Sequence, residues 1–254
     1  MVLGEEFEIL LEKGVSIEET TLIAGFPGVG LTSTIATNFV VDSLKMEHAG
    51  YIISDKLPPA AIVQSGIPMY PVRFYKKDKL MILLSDFALP IQLSKTMSDT
   101  LLNLNGSKRR FKAIITLEGL MAEPTVEEKE IRVFGVGSTP AAREWLKKTD
   151  VEIFDHGWIT GISGLLLSEG GRLKRDVVCL LADANPMYPD ARSAAKLVET
   201  LDKLLPEVEI DLKPLYEEAA KIEENIKQQM EKAKEILAAR QGPASRMTKN
   251  YMYG

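Results

Sequence analysis

The residues best suited to chemistry lie in one turn, Gly25-Phe26-Pro27-Gly28-Val29-Gly30-Leu31-Thr32. It follows a short apolar run, Thr21 to Ala24, and precedes a segment with helical spacing at Leu31, Ile35, Phe39 and Val40. Glycines between a strand and a helix can cradle phosphate, because backbone N–H groups converge there at an electropositive helix end. A phosphate loop also needs GxxxxGK[ST], whose lysine reaches the terminal phosphates. Leu31 stands at the lysine position, so the cradle lacks its cation and a triphosphate has little to hold it. The dinucleotide pattern GxGxxG is met by Gly28 and Gly30 and broken by Ser33, with Asp55 placed to be the ribose-binding acid. A nucleotide- or small-ligand-binding reading therefore stands beside a structural one, in which the glycines let the turn approach neighbouring backbone.

A nucleophile is the second chemistry to weigh. Gly161-Ile162-Ser163-Gly164-Leu165 approaches the GxSxG elbow but ends in leucine. An α/β-hydrolase needs its histidine after the serine, and His48 and His156 both precede Ser163. Asp155 cannot orient His156, because adjacent residues point in different directions, so His156 reads as a structural hydrogen-bonding residue. Glu118, Asp155 and Asp183 fall near the ends of predicted strands, where open α/β sheets collect ligands. Asp183-Ala184-Asn185-Pro186 reads as a strand exit with side-chain-stabilised turn chemistry. One cysteine, Cys179, excludes an internal disulfide and a cysteine-rich zinc site, and two histidines make a histidine-cluster metal site implausible. The reading is a protein without catalytic residues, cofactor or metal.

The elements that would position these residues follow from periodicity. The 254 residues are 45% hydrophobic and 26% charged, which is enough apolar material for a sizeable core. A net charge of −5 argues against nucleic acid and against an electrostatic membrane foot as partners. Thr20 to Val41 is uncharged, yet Gly25, Pro27, Gly28 and Gly30 interrupt it, so strand, turn and helix explain it better than a membrane span. The acidic start lacks the basic and apolar regions of a signal peptide, and the chain is expected to be cytoplasmic.

Strands are predicted at Thr21–Ala24, Tyr51–Ser54, Ala113–Leu117, Ile131–Val136 and Val177–Ala182. An antiparallel hairpin is predicted from Tyr70–Tyr75 and Leu80–Leu84 around the charged turn Lys76–Lys79. Helices are expected at 31–44, 94–105, 140–148, with Thr139 as N-cap and Pro140 at the first position, and 190–205. Strands alternating with helices give an α/β fold, a three-layer αβα sandwich with a mixed, mainly parallel sheet. Residues 1–206 form this core domain, and 207–254 a C-terminal helical arm and tail.

The arm carries a narrow apolar stripe, Leu215, Ala219, Ile222, Ile226, Met230, Ala233 and Leu237, whose spacing averages about 3.67 residues. Glutamate and lysine fill its other faces, so the stripe covers a groove or pairs with another helix. Gly242 and Pro243 end the helix.

The segments GFPGVGL (25–31), LEGL around Glu118, GISGLLL (161–167) and the run ADANPMYPDARSAAKLVETLDKLL (182–205) resemble, in this order, the PAC2 family. That family comprises archaeal and bacterial relatives of the eukaryotic proteasome assembly chaperones. The resemblance covers about residues 5–205 and implies a three-layer α/β fold, no established enzymatic activity and a tendency to form homo-oligomers. Met252-Tyr253-Gly254 looks like the hydrophobic–tyrosine–any-residue motif of proteasome activators, which docks between α-subunits of the core particle. By that likeness Met252 fills an apolar notch, Tyr253 packs near the gate, and the Gly254 carboxylate pairs with a lysine of the α-ring. The resemblance thus implies a chaperone homologue or activator whose partner is the proteasome α-ring.

Overall fold

The computed structural model describes residues 7–103, 110–121, 130–206, 210–217 and 221. In chain order the elements are β1 (Glu8–Leu11), β2 (Thr21–Gly25), α1 (Thr32–Ser43), β3 (Glu47–Ile53), β4 (Ile62–Gln64), β5 (Ile67–Met69), β6 (Val72–Lys77) and β7 (Leu80–Ser85). They continue with α2 (Ser94–Asn103), β8 (Ala113–Met121), β9 (Val133–Gly137), α3 (Pro140–Leu146), β10 (Glu152–Ile153), α4 (Gly161–Leu173), β11 (Val177–Ala184) and α5 (Ala191–Leu204).

One sheet runs β1-β3-β6-β7-β2-β8-β11-β9-β10, and β4 and β5 form a separate small hairpin. Its centre, β7-β2-β8-β11, is parallel throughout, and antiparallel pairings flank it on both sides. The central strands read as unbroken apolar runs because both faces are covered. In β7, Met81 and Leu83 enter one core while Leu80, Ile82 and Leu84 enter the other. Likewise Val177, Cys179 and Leu181 of β11 face one layer, and Val178, Leu180 and Ala182 the opposite one. α2 and α4 cover the first face; α1, α3 and α5 cover the second. The expected three layers are present.

Local signals are realised where they were expected. The hairpin β6–β7 turns at Asp78, which takes the left-handed conformation at φ 49°. Thr139 caps α3 by accepting from the Ala142 N–H at 3.0 Å, with Pro140 at the first helical position. Asp190, expected as the first residue of the 190–205 helix, is instead the N-cap of α5, accepting from the Ser193 N–H at 3.0 Å. The uncharged stretch 20–41 divides into β2, the glycine turn and α1. Among the described residues no helix is long and apolar enough to cross a membrane.

Two features differ from expectation. The β2–α1–β3 unit is a parallel crossover, but β3 does not pair with β2; the hairpin β6–β7 is inserted between them. Residues 161–173, rich in glycine and assigned to no element from the sequence, form the helix α4. Of the arm, Leu215 lies within a helical turn at 213–217, is 1% exposed and packs in the layer of α1, α3 and α5. Ala219, Ile222, Ile226, Met230, Ala233, Leu237, the break at Gly242-Pro243, and Met252-Tyr253-Gly254 lie outside the described residues.

Candidate functional site

The carboxyl ends of the parallel strands create a cleft, where crossover geometry places one. β2 ends at Gly25 and the chain passes through Phe26, Pro27 and Gly28 before a single 3-10 turn, Val29–Leu31, leads into α1. β8 brings Glu118 beside this turn, and the segment before α4 adds Trp158, Ile159 and Thr160. Together with Leu89 and Ile91 they enclose a cleft of about 420 Å³.

The glycines serve close approach. Gly30 has φ +61°, and a Cβ there would stand 2.9 Å from the Asn185 carbonyl oxygen. The Gly30 carbonyl accepts from the Asp190 N–H at 2.7 Å, which ties the turn to the N-cap of α5. Gly28 is extended, and a Cβ on it would lie 3.0 Å from Glu118 Oε2. A carboxyl group therefore lies under the glycine turn, where a phosphate loop would present positive potential. The turn thus faces a buried carboxyl group, and no lysine, arginine or histidine is among the described residues lining the cleft, so a phosphate would find no cation there. Asp55 is exposed in the turn after β3, which is three strand spacings, or about 14 Å, from β2. The pairing of glycine turn and ribose acid that the dinucleotide pattern requires is absent among the described residues.

Ser163 is not an accessible nucleophile. It sits in the first turn of α4, is 1% exposed, and donates its hydroxyl to Glu118 Oε1 at 2.5 Å. His156 and Asp155 are exposed in the preceding loop, where His156 Nδ1 lies 2.5 Å from the Asp155 carbonyl oxygen. Asp183 shares the face of Glu118 through the β8–β11 register but is engaged by Arg132 Nε at 2.8 Å. Of the three strand-end carboxylates, only Glu118 lines the cleft. Among the described residues no cluster of three or more histidine, cysteine, aspartate or glutamate side chains could hold a metal ion.

Burial pushes the Glu118 carboxyl up from an ordinary 4.5 to about 7, and the hydrogen bond from Ser163 opposes part of that rise. This has a consequence for stability. The folded state holds the Glu118 proton up to about pH 7, whereas the unfolded chain releases it near 4.5. Between these values the native state binds more protons, so its stability falls as pH rises. Wild type is expected to lose about 2 kcal/mol relative to Glu118→Gln across that window, the full shift being discounted for partial exposure. Guanidinium unfolding of both proteins at a series of pH values measures it; a difference that does not change with pH contradicts the assignment.

Sequence reasoning missed Trp158, which is 93% exposed at the mouth of the cleft. It also missed an apolar rim. Ile91 is 74% exposed and Met187 81%, and Met121, Val63 and Ile67 are also exposed. These residues lie on or beyond the carboxyl ends of β7, β11, β8 and β3, which point the same way. A contact surface would need such side chains to form one continuous patch. A periodicity scan could not find them, because they sit in short turns and hairpin strands or at a strand's last residue, where no repeat is long enough to assign a face.

A family model described as the PAC2 family matches residues 22–230. The crystal structure of PbaA from Pyrococcus furiosus, an archaeal homolog of proteasome-assembly chaperone, is similar at 32% identity and TM-score 0.80, covering 92% of this chain and 97% of that one. PbaB from the same organism, an archaeal proteasome activator, shares the fold at 23% identity and TM-score 0.76, covering 89% and 99%. An uncharacterized protein of Methanocaldococcus jannaschii is 30% identical over 224 residues, 88% of this chain and 91% of that protein.

Proposed function

We propose, from the premise that this chain belongs to the PAC2 family, that it is a non-enzymatic partner of the proteasome core particle, acting as assembly-chaperone homologue or activator. The observation that carries this reading is the likeness to PbaA over nearly the full length of both chains. Met252-Tyr253-Gly254 is the docking element in this reading, inserted between α-subunits of the core particle. A tyrosine brings large contact area at low entropy cost, and its hydroxyl retains a hydrogen bond when the ring is buried. One such tail binds weakly. Several tails on one homo-oligomer engage the ring by avidity, which multiplies affinity without new contacts. Leu215 is packed on the core itself, and the rest of the stripe, Ala219 to Leu237, supplies the docking or oligomer-forming face of the arm, with residues 1–206 as the core that carries it. The exposed apolar rim around Trp158 supports a protein-binding role.

The test is peptide hydrolysis by an archaeal core particle titrated with this protein, with binding followed by surface plasmon resonance. The intact protein is expected to bind and stimulate. Deletion of Tyr253 and Gly254 is expected to weaken binding by about two orders of magnitude or more, since every tail of the oligomer is disabled together. Equal binding by the intact and truncated proteins would sink the tail's role.

A further inference from the structure

The cleft beside Gly28 combines features that the proteasome reading does not use. Its walls are apolar, built from Phe26, Val29, Leu89, Ile91, Trp158 and Ile159. Its floor carries one ionisable side chain, Glu118, and no lysine, arginine or histidine is among the described residues that line it. Glu118 Oε1 accepts from Ser163, whereas Oε2 faces the space that a side chain at position 28 would fill. Glycine at that position leaves the second oxygen reachable, and its extended backbone is one that other residues could adopt.

We propose that this cleft binds a small primary amine, its ammonium group held by Glu118 Oε2 and its aliphatic or aromatic body packed between Phe26, Ile91 and Trp158. Three ligand chemistries can be compared. An anion would meet a carboxyl group with no compensating cation. A purely apolar ligand would seal Glu118 away from water and leave Oε2 without a donor, which costs free energy. An ammonium ion provides that donor with charge assistance, while its body covers the exposed indole of Trp158. The volume of about 420 Å³ falls in the range of small-molecule sites.

Protonation makes the idea specific. The amine needs the ionised carboxylate, yet burial keeps Glu118 protonated up to about pH 7. Binding below that pH must therefore release a proton, and affinity must rise with pH until Glu118 is ionised. The amine itself stays charged, because its own pKa of about 10 lies well above this range.

The full chain is titrated with phenethylamine, phenethyl alcohol and phenylacetate, and indole fluorescence is read. Phenethylamine is expected to bind with a dissociation constant of the order of 1 mM, as suits so small a ligand. The alcohol is expected to bind about tenfold more weakly and phenylacetate more weakly still. Trp158→Phe removes the fluorescence change, which separates Trp158 from the distant Trp145. Glu118→Gln keeps an acceptor for Ser163, so the fold is retained, and should reduce the amine to the affinity of the alcohol. Gly28→Val should block all three ligands, because its side chain fills the space in front of Glu118 Oε2. Equal affinity for amine and alcohol, amine binding unchanged in Glu118→Gln, or no amine binding at tens of millimolar would each overturn the proposal. None of these readouts involves the proteasome, so the two readings fail separately.

Discussion

Asp86→Ala is expected to cost about 3 kcal/mol of folding stability, more than Arg73→Met, although both remove the same ion pair. Arg73 lies in β6 and is 1% exposed, the largest fully buried side chain among the described residues. Its guanidinium pairs with Asp86, just beyond β7, and Nε donates to the Tyr75 hydroxyl at 2.9 Å. The Tyr75 ring lies 5.7 Å from the guanidinium carbon. A buried cation is tolerable only with such compensation, so removing the carboxylate leaves an uncompensated charge in the interior. Arg73→Met is different, because the methionine occupies much of the volume of the arginine stem and leaves no buried cation. The orphaned carboxylate is then Asp86, whose side chain is 22% exposed and can recover water. The cost of Arg73→Met should be nearer 1 kcal/mol. Guanidinium unfolding with an unchanged denaturant slope compares the two, and an order opposite to this one would refute the account.

Gly119→Ala is expected to cost about 3 kcal/mol or more, a large effect for one methyl group. Gly119 follows Glu118 in β8, and a Cβ there would lie 2.2 Å from the Val29 carbonyl oxygen and 3.0 Å from Thr32 Oγ1. The clash is with backbone, so no rotamer change relieves it. Either β8 or the glycine turn must move, and the cleft beside Glu118 would open with it. Gly171→Ala is the matched control. Gly171 is an exposed residue of α4 whose added methyl would meet only the Ser138 oxygen at 3.3 Å. Alanine favours helix over glycine by up to about 1 kcal/mol, so this change should be neutral or slightly stabilising. Thermal unfolding of the two variants gives the comparison; equal melting temperatures would show that the turn yields without cost.

The elements legible in the sequence are those whose signals are local. The hairpin at 72–85 and the Thr139-Pro140 start of α3 each depend on residues a few positions apart. Alternating cores follow from period-2 side-chain geometry and were implicit in runs such as Leu80 to Leu84. α4 was missed because Gly161, Gly164, Gly170 and Gly171 lower its intrinsic helix propensity. Packing supplies what propensity lacks: Ile162, Leu166 and Leu167 are buried against the sheet, and Gly164 approaches the Ile159 carbonyl more closely than a Cβ would allow.

By itself, then, the sequence determined the layer architecture, the weakness of the phosphate-loop and hydrolase readings, and the family resemblance. Leu31 in place of lysine and two histidines preceding Ser163 are facts of order, which folding cannot alter. Only the tertiary structure decided which chemistry-bearing residues meet. It moved Asp55 away from the glycine turn by inserting β6 and β7, and it joined Glu118 to Ser163 across 45 positions of sequence. Strand order is set by how apolar faces pack across the whole sheet, a sum over distant pairs that no local pattern encodes. Burial, which raises the Glu118 carboxyl and hides the Ser163 hydroxyl, arises from the same packing and is a property of the fold alone.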